Sequence, residues 1–303
     1  MPAIPQASSN QLLQPEVLAS LSNLELIARA AVNGVLMGLH RSPFFGFSQE
    51  FAEYRPYTEG DDPRFIDWNV YSRTERTYIK RFLGETNSHL MILLDASASM
   101  AFGSRGNLTK FRYGQILAAS LAYLASHQHD AIGVMMFSDG VREFRPPSSR
   151  SGQLPAVLHT IDRARPESRT DLAAPFSRFR EHVQRRGMVA VISDFYCDPQ
   201  TMLEAVRPLA FQGQDVILFH LLDPQELDPE FSESTLLEDM ETGQTVEVSP
   251  HEMREQYPAR MQAHIQSLRE AATKAGVDYV LLNTSESLDV PLRNYFLFRQ
   301  KRR

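Results

Sequence analysis

The sequence contains a single cysteine, Cys197, among 303 residues, so it has no second cysteine with which to form an internal disulfide. This composition fits a reducing compartment. Long apolar runs are missing as well: the stretch 30–39 is broken by Asn33 and two glycines, and it is too short to cross the roughly 30 Å of a bilayer's hydrocarbon core. Residues 1–15 also lack the pattern of a signal peptide. We therefore predict a cytoplasmic protein without membrane insertion.

An excess of basic charge is also absent. The formal net charge is -6 at pH 7, whereas nucleic-acid-binding domains usually carry a basic face, so we predict no nucleic-acid partner. Nine acidic residues and no Lys or Arg lie between Asp223 and Glu247, and the chain closes on the basic segment 299–303. These segments are either solvated loops and a frayed terminus, or surfaces that face a partner.

Common catalytic motifs are not found. The sequence has neither a Gly-x-Ser-x-Gly nucleophile elbow nor a Gly-rich phosphate loop. His251 and Glu252 begin like a zinc-protease motif, but Glu255 stands where the second His is required. Cys197 has no His near it in the sequence. We therefore predict that the protein is not an enzyme and has neither catalytic residues nor an organic cofactor.

Apolar strands and amphipathic helices alternate over most of the chain. Residues 1–15 are predicted to be a disordered lead, and residues 16–86 an N-terminal helix followed by a small aromatic-rich annex, which Trp68 is expected to anchor to the rest. The charged residues of the annex at positions 55, 61, 64, 67 and 73 are expected to form a structural ion-pair network. Residues 87–303 alternate strand and helix, with a hairpin insertion at 235–249. This alternation predicts a doubly wound, mainly parallel α/β sheet with helices on both faces.

The most informative segment is Asp95-Ala96-Ser97-Ala98-Ser99, which follows the apolar run 90–94. Such a run is typical of a buried parallel strand, so Asp95, Ser97 and Ser99 are expected at one edge of the sheet. In doubly wound sheets, ligands bind outside the carboxyl ends of the strands, where the winding reverses. Asp194, after the run 189–193 that ends in Ser193, and Thr170, in a loop before a helix, are expected at the same edge.

These five residues, Asp95, Ser97, Ser99, Thr170 and Asp194, offer only oxygen atoms. Hard cations prefer such ligands, so the set predicts one Mg²⁺ or Mn²⁺ ion. Three neutral hydroxyls and two carboxylates leave the ion only partly neutralised, so the acidic side chain of a partner can complete its coordination. No general base is visible that could activate a metal-bound water. Two alternatives stay open: a metal-free scaffold in which Asp95, Ser97 and Ser99 merely cap the next segment, and a metal-dependent hydrolase or phosphatase that uses the same cluster.

The same pattern resembles a known metal site. The sequence has Asp-x-Ser-x-Ser after the first strand, a Thr about seventy residues later and an Asp after a later strand. This pattern is similar to the metal-ion-dependent adhesion site of von Willebrand factor A-like domains. The resemblance implies that Ser97, Ser99 and Thr170 are direct ligands, and that Asp95 and Asp194 act directly or through water. Arg169 and Phe195 stand where that family often has Gly, and either side chain would narrow access to the metal if it faced the site.

A second resemblance lies further upstream. Four short segments are similar to the signature of the bacterial domain-of-unknown-function 58 family. They are Gly60-Asp61-Asp62-Pro63-Arg64, Asp67-Trp68, Leu222-Asp223-Pro224 and Glu241-Thr242-Gly243. The resemblance covers roughly residues 30–298. It implies a von Willebrand A-like domain that often acts beside a MoxR-type AAA+ ATPase. We therefore expect a metal-dependent protein–protein interaction module that works with such an ATPase, or with its client, in remodelling or maturation of the client protein.

Overall fold

Strands and helices alternate along the chain in the computed structural model, which describes residues 23–39, 51–58, 66–82, 89–104, 106–182, 185–229 and 234–301. The strands are β1 (Phe51–Pro56), β2 (Tyr78–Phe82), β3 (His89–Asp95), β4 (Ala131–Phe137), β5 (Val141–Ser148), β6 (Met188–Ser193), β7 (Asp215–Leu222), β8 (Thr235–Glu238), β9 (Thr245–Val248) and β10 (Asp278–Asn283). The helices are α1 (Leu24–Leu39), α2 (Trp68–Thr74), α3 (Lys110–His127), α4 (Gln153–Arg163), α5 (Ala173–His182), α6 (Pro199–Phe211), α7 (Pro224–Leu227), α8 (Tyr257–Ala275) and α9 (Asp289–Lys301).

Six of the strands form a central sheet in the order β10-β7-β6-β3-β4-β5. All neighbouring pairs are parallel except β4 and β5, which are antiparallel. From β3 the chain moves outward through β4 and β5, then crosses back to β6 and continues in the other direction through β7 and β10. The winding therefore reverses between β3 and β6, and the predicted doubly wound, mainly parallel α/β fold is confirmed.

Helices cover both faces of this sheet. The apolar sides of α1, α3, α4 and α9 pack on one face, where they contact alternate residues of β3 such as Leu90, Ile92 and Leu94. The apolar sides of α5, α6 and α8 pack on the other face, against Met91 and Leu93. Because both faces of the strand are covered, every residue of β3 is buried. This burial explains the uninterrupted apolar run in the sequence.

Helix α1 contributes to the same core as the sheet. Ile27, Ala28 and Ala31 recur at helical spacing and are completely buried, in one apolar cluster with α3 and β3. The predicted residues 16–22 of this helix and the predicted lead at 1–15 lie outside the described residues. The division of the chain at residues 86 and 87 stays a prediction. No described helix is both long enough and apolar enough to span a membrane.

Strands β1 and β2 pair antiparallel, and α2 lies between them in sequence. The prediction that Trp68 anchors the annex in the main domain is wrong: its side chain is 62% exposed and its ring meets only the edge of Tyr71 among the described aromatic rings. No residue of α2 is buried, so the short helix lies on the surface and carries Trp68 with it, while Asp67 caps the helix at the N–H groups of Asn69 and Val70. Positions 61 and 64 of the expected ion-pair network lie outside the described residues.

Candidate metal centre

The segment after β3 turns back on the carboxylate of Asp95. Asp95 Oδ1 accepts a hydrogen bond from the backbone N–H of Ser97 at 2.9 Å, and Oδ2 accepts one from the Ser193 hydroxyl, at the end of β6, at 2.6 Å. Ser97 precedes a short 3₁₀ turn, yet its side chain makes no capping bond and instead lies 3.1 Å from the Ser99 hydroxyl. Of the three residues that could merely cap the segment after β3, Asp95 therefore bonds to a backbone N–H of that segment. The hydroxyls of Ser97 and Ser99 instead lie against each other.

Asp194 follows β6 directly and is completely buried. Its Oδ2 accepts a hydrogen bond from Lys110 Nζ at 2.7 Å, whereas Oδ1 is buried without a partner among the described residues. Since β3 and β6 are neighbours in the sheet, Asp95 and Asp194 leave it on either side of the point where the winding reverses. This is the position at which doubly wound sheets bind ligands.

Lys110 is a fully buried cation at the start of α3. A lysine in the first turn of a helix opposes the helix dipole, and burial adds a desolvation penalty. Both are offset by two carboxylates at 2.7 Å, those of Asp194 and Glu226. The ammonium also lies 4.7 Å from the centre of the Tyr196 ring. Four residues further on, Gly114 lets α3 approach the sheet closely, because a Cβ there would come within 3.0 Å of Leu94 Cδ1.

The electrostatics of this edge favour an additional positive charge. Burial, together with the nearby charge of Asp194, raises the pKa of Asp95 to about 7. Burial by itself lowers the pKa of Lys110, but the charges of Asp194 and Glu226 outweigh it, so the pKa is raised and the lysine stays charged. Burial, together with the charge of Asp194, raises the pKa of Glu226 despite the opposing charge of Lys110. One ammonium thus stands among three buried or nearly buried carboxylates.

Thr170 lies in the loop that follows α4, and this loop is joined to the serine segment through the backbone. The Ala98 N–H donates to Ser168 O at 2.8 Å, and the Glu167 N–H donates to Ala96 O at 2.8 Å. The hydroxyl and the N–H of Thr170 both donate to the carboxylate of Glu241, at 2.8 Å and 3.1 Å. The structure therefore gathers Asp95, Ser97, Ser99 and Asp194 at the edge, with the loop of Thr170 beside them and the Thr170 hydroxyl bonded to Glu241.

Phe195 and Arg169 differ in their placement. Both stand at positions where von Willebrand factor A-like domains often have glycine. Phe195 is completely buried in the apolar core, with its ring edge-on to His220 at 5.8 Å, so it does not narrow access to the site. Its φ of +46° is in the left-handed region, which explains why glycine suits this position. Arg169 lies over the hairpin turn, where Nε donates to the backbone oxygen of Glu241 at 3.4 Å.

A cavity of about 790 Å³ separates the sheet edge from the β8–β9 hairpin. Its lining includes Ser99, Lys110, Tyr196, Glu226, Met240 and Glu241. Ser99, one of the candidate metal ligands, and the hairpin turn with Glu241 therefore line the same space.

Most of the chain matches one protein-family profile, described as "Protein of unknown function DUF58", over residues 53–267. The chain belongs to the DUF58 family. The resemblance noted from the sequence is confirmed, and the family description assigns no function.

Two relatives of this DUF58 protein are named as uncharacterized proteins. Proteins of Mycobacterium tuberculosis and Mycobacterium bovis are 27% identical to it over 275 residues, which is 89% of this chain and 86% of theirs. Among solved structures, the conserved hypothetical protein BatB from Bacteroides thetaiotaomicron aligns with 71% of this chain and 98% of its own, at 15% identity and a TM-score of 0.49. The von Willebrand A domain of SpRpn10 aligns with 69% of this chain and 94% of its own, at 12% identity and a TM-score of 0.40.

Four polar residues at the edge of this DUF58 fold were not predicted from the sequence: Lys110, Ser193, Glu226 and Glu241. Ser193 is the last residue of β6, and Glu226 lies four residues after the end of β7, so a search of every strand end and the loop after it would have found both. No group of three or more His, Cys, Asp or Glu side chains among the described residues is placed to hold a metal ion. A metal at this edge would therefore depend on hydroxyl oxygens as well as the two carboxylates.

Proposed function

We propose that this DUF58 protein is a protein–protein interaction module in which one Mg²⁺ or Mn²⁺ ion binds an acidic side chain of a partner. The supporting observation is Asp194 Oδ1, a buried carboxylate oxygen without a partner among the described residues, beside a second buried carboxylate with a raised pKa. A charged oxygen in this state destabilises the fold unless a donor or a cation satisfies it. A divalent ion would satisfy it.

The residues that would hold the ion are Ser97, Ser99 and Thr170 through their hydroxyls, and Asp95 and Asp194 directly or through water. The donor set fits a hard cation, because every candidate atom is oxygen. Since the hydroxyl ligands are neutral, the bound ion would keep part of its charge and attract a carboxylate. Binding of the partner would then require both the metal and an acidic residue at the correct position.

We infer a non-enzymatic role. A hydrolase or phosphatase that used this edge would need a nucleophile, and Cys197, close by in sequence, does not supply one. Burial raises the pKa of its thiol to about 12, so the thiol is uncharged at neutral pH and is a poor nucleophile. Turnover of a phosphate ester that depends on Mg²⁺ and is lost in Ser97→Ala would contradict this inference.

The proposed partner is a MoxR-type AAA+ ATPase, or the client protein that the ATPase acts on. The support for this partner is the family resemblance, and the proposed role is remodelling or maturation of the client. A pull-down of the purified ATPase by this protein should fail when EDTA is added, and it should also fail with Ser97→Ala. Retention of the ATPase under both conditions would show that the contact does not use the metal.

Calorimetric titration with Mg²⁺ tests the site without a partner. The wild-type protein and the control Ser151→Ala, which changes an exposed serine in a turn, should each bind one ion. Ser97→Ala and Thr170→Val each remove one oxygen ligand and should weaken the affinity by about tenfold or more. Unchanged affinity in both variants would place the metal elsewhere.

A metal-free scaffold is the second candidate function, because Lys110 already supplies a positive charge to Asp194 and Glu226. In that case the wild-type protein would show no heat of binding with millimolar Mg²⁺, and its unfolding would be the same with and without EDTA.

A further inference from the structure

The turn of the β8–β9 hairpin is attached to the candidate site by one carboxylate. Glu241, in this turn, accepts hydrogen bonds from both the hydroxyl and the N–H of Thr170. We propose that Glu241 occupies, within the chain, the place that the acidic side chain of a partner takes, and that the hairpin from Thr235 to Val248 must move away before the partner binds. This inference rests on the proposed function and adds the regulation of the same site.

Hydrogen bonds within the turn brace it and orient Glu241 toward Thr170. Asp239 Oδ1 accepts hydrogen bonds from the N–H groups of Glu241 and Thr242, at 2.8 Å and 3.0 Å. The backbone of Asp239 also pairs with Gln244 and Gly243, each at 2.8 Å, and Gly243 takes the left-handed φ of +70° that closes the turn. The carboxylate is therefore preorganised for Thr170.

The strands behind the turn are held loosely. Each has four residues, and among the described strands they pair only with each other. Leu236 and Val246 are 66% and 60% exposed, so the hairpin buries little apolar area, and an isolated two-stranded hairpin is marginal in water. Beneath the hairpin lies the cavity of about 790 Å³ rather than packed side chains. Moving the hairpin would break the hydrogen bonds that join Glu241 to Thr170 and Arg169 while exposing little further apolar area.

Charge explains why such a contact is replaceable. Glu241 brings another carboxylate to an edge where Asp95, Asp194 and Glu226 already outnumber Lys110. Thr170 supplies hydrogen-bond donors but no charge. A partner carboxylate would meet the same hydrogen-bond donors and the same ion. It would therefore make the same kinds of interaction as Glu241 and compete with it for the site. The favoured partner is therefore an acidic residue at the tip of a loop or turn, which can approach as Glu241 does.

The hairpin itself serves as the probe. A fluorescein-labelled peptide of residues 235–248 is titrated with the full-length protein in saturating Mg²⁺ and followed by fluorescence anisotropy. Wild-type protein should bind it weakly, because its own Glu241 competes. Glu241→Ala should bind it at least about tenfold more tightly, since the fraction of open sites rises. The control Glu247→Ala removes an exposed glutamate of the same hairpin and should match the wild type, and the peptide with Glu241→Gln should lose binding.

Two further measurements separate failure of this inference from failure of the proposed function. Hydrogen exchange of the Thr170 amide, measured without metal, should accelerate about tenfold or more in Glu241→Ala and stay unchanged in Glu247→Ala. Titration with Mg²⁺ should show one ion bound in all three proteins. If the ion binds but Glu241→Ala gains no affinity for the peptide, the inference is wrong and the metal site stands. If no ion binds to any of the three proteins, the proposed function is wrong. Accelerated exchange of the Thr170 amide in Glu241→Ala would then show only that Glu241 contacts Thr170 within the fold.

Discussion

Replacing Lys110 by methionine removes the only ammonium group that the described residues bring into contact with Asp194. The substitution keeps most of the side chain's volume and deletes its charge, so Asp194 and Glu226 stay buried without their partner at 2.7 Å. Removing one member of a buried ion pair typically costs about 3–5 kcal/mol, because the remaining charge is uncompensated. We expect Lys110→Met to lower the free energy of unfolding at pH 8 by this amount.

The effect should depend on pH with a defined sign. Without Lys110, the folded-state pKa of Glu226, which burial already raises, rises further above its unfolded value of about 4. Between those two values the folded protein binds more protons than the unfolded chain, so the free energy of unfolding decreases as the pH rises. The loss in Lys110→Met should therefore be smaller at pH 5 than at pH 8. Added Mg²⁺ should restore stability to the variant more than to the wild type, because the ion replaces the missing charge.

Urea unfolding at pH 5 and pH 8, with Mg²⁺ and with EDTA, measures all of these effects. With a urea dependence of about 2–3 kcal/mol/M, the expected loss at pH 8 lowers the midpoint by about 1–2.5 M. The matched control is Lys274→Met, an exposed lysine of α8, which should change the stability by less than about 0.5 kcal/mol. A loss below about 1 kcal/mol at pH 8, or an equal loss at both pH values, would refute the reasoning about buried charge.

Four further predictions concern single groups. Because the proton of Asp95 must leave before a metal binds, and its pKa is raised to about 7, Mg²⁺ affinity should fall by up to about tenfold per pH unit below 7; calorimetry that gives equal affinities at pH 6 and pH 7.5 would contradict this. Phe195→Ala should cost about 3–5 kcal/mol in urea unfolding, since the ring is buried in the core, while the Mg²⁺ affinity stays within a few-fold; a large loss of affinity would mean that the ring shapes the site. Burial lowers the pKa of His220 to about 3, so its stabilising contribution is present above about pH 6.5 and is lost as the pH falls toward 3; His220→Gln should flatten this part of the stability–pH curve, and a curve that coincides with the wild type would argue against it. Trp68→Ala should leave the thermal midpoint nearly unchanged, because the ring is largely exposed, and a drop of more than a few degrees would restore its role as an anchor.

The central sheet was predictable because its strands are covered on both faces. Burial on both sides demands uninterrupted apolar runs, and β3 and β6 are buried at every position. Trp68 could not be placed from the sequence, because its neighbours in space depend on how the annex folds. A large aromatic residue is more often buried, and here a polar neighbour, Asp67, takes the inward position.

The candidate site was predictable only in part, for a related reason. Asp95, Ser97 and Asp194 follow strand ends, and parallel strands bring their carboxyl ends to one edge. Lys110 and Glu241 lie on a helix and a hairpin, whose approach to that edge is set by packing rather than by sequence spacing. The acidic segment from Asp223 to Glu247 illustrates this difficulty. From composition it is either solvated or partner-facing, yet Asp223 accepts a bond from the Ser104 N–H, Glu226 pairs with Lys110, and Glu241 is bonded to Thr170.

These inward-facing carboxylates suggest why a lysine is buried at a candidate metal centre. With neither cation, Asp95, Asp194 and Glu226 would repel one another inside the fold, and the edge would open before any metal arrived. Lys110 supplies one charge permanently, which is enough to hold α3 and α7 in place but leaves Asp194 Oδ1 without a partner among the described residues. A divalent ion would find its oxygen ligands already arranged and its attraction only partly met. Lys110 thus sets how strongly the site attracts a metal ion, and Glu241 sets how often the site is open to a partner. Substitutions at Lys110 should therefore change the Mg²⁺ affinity, whereas substitutions at Glu241 should change the affinity for an acidic peptide.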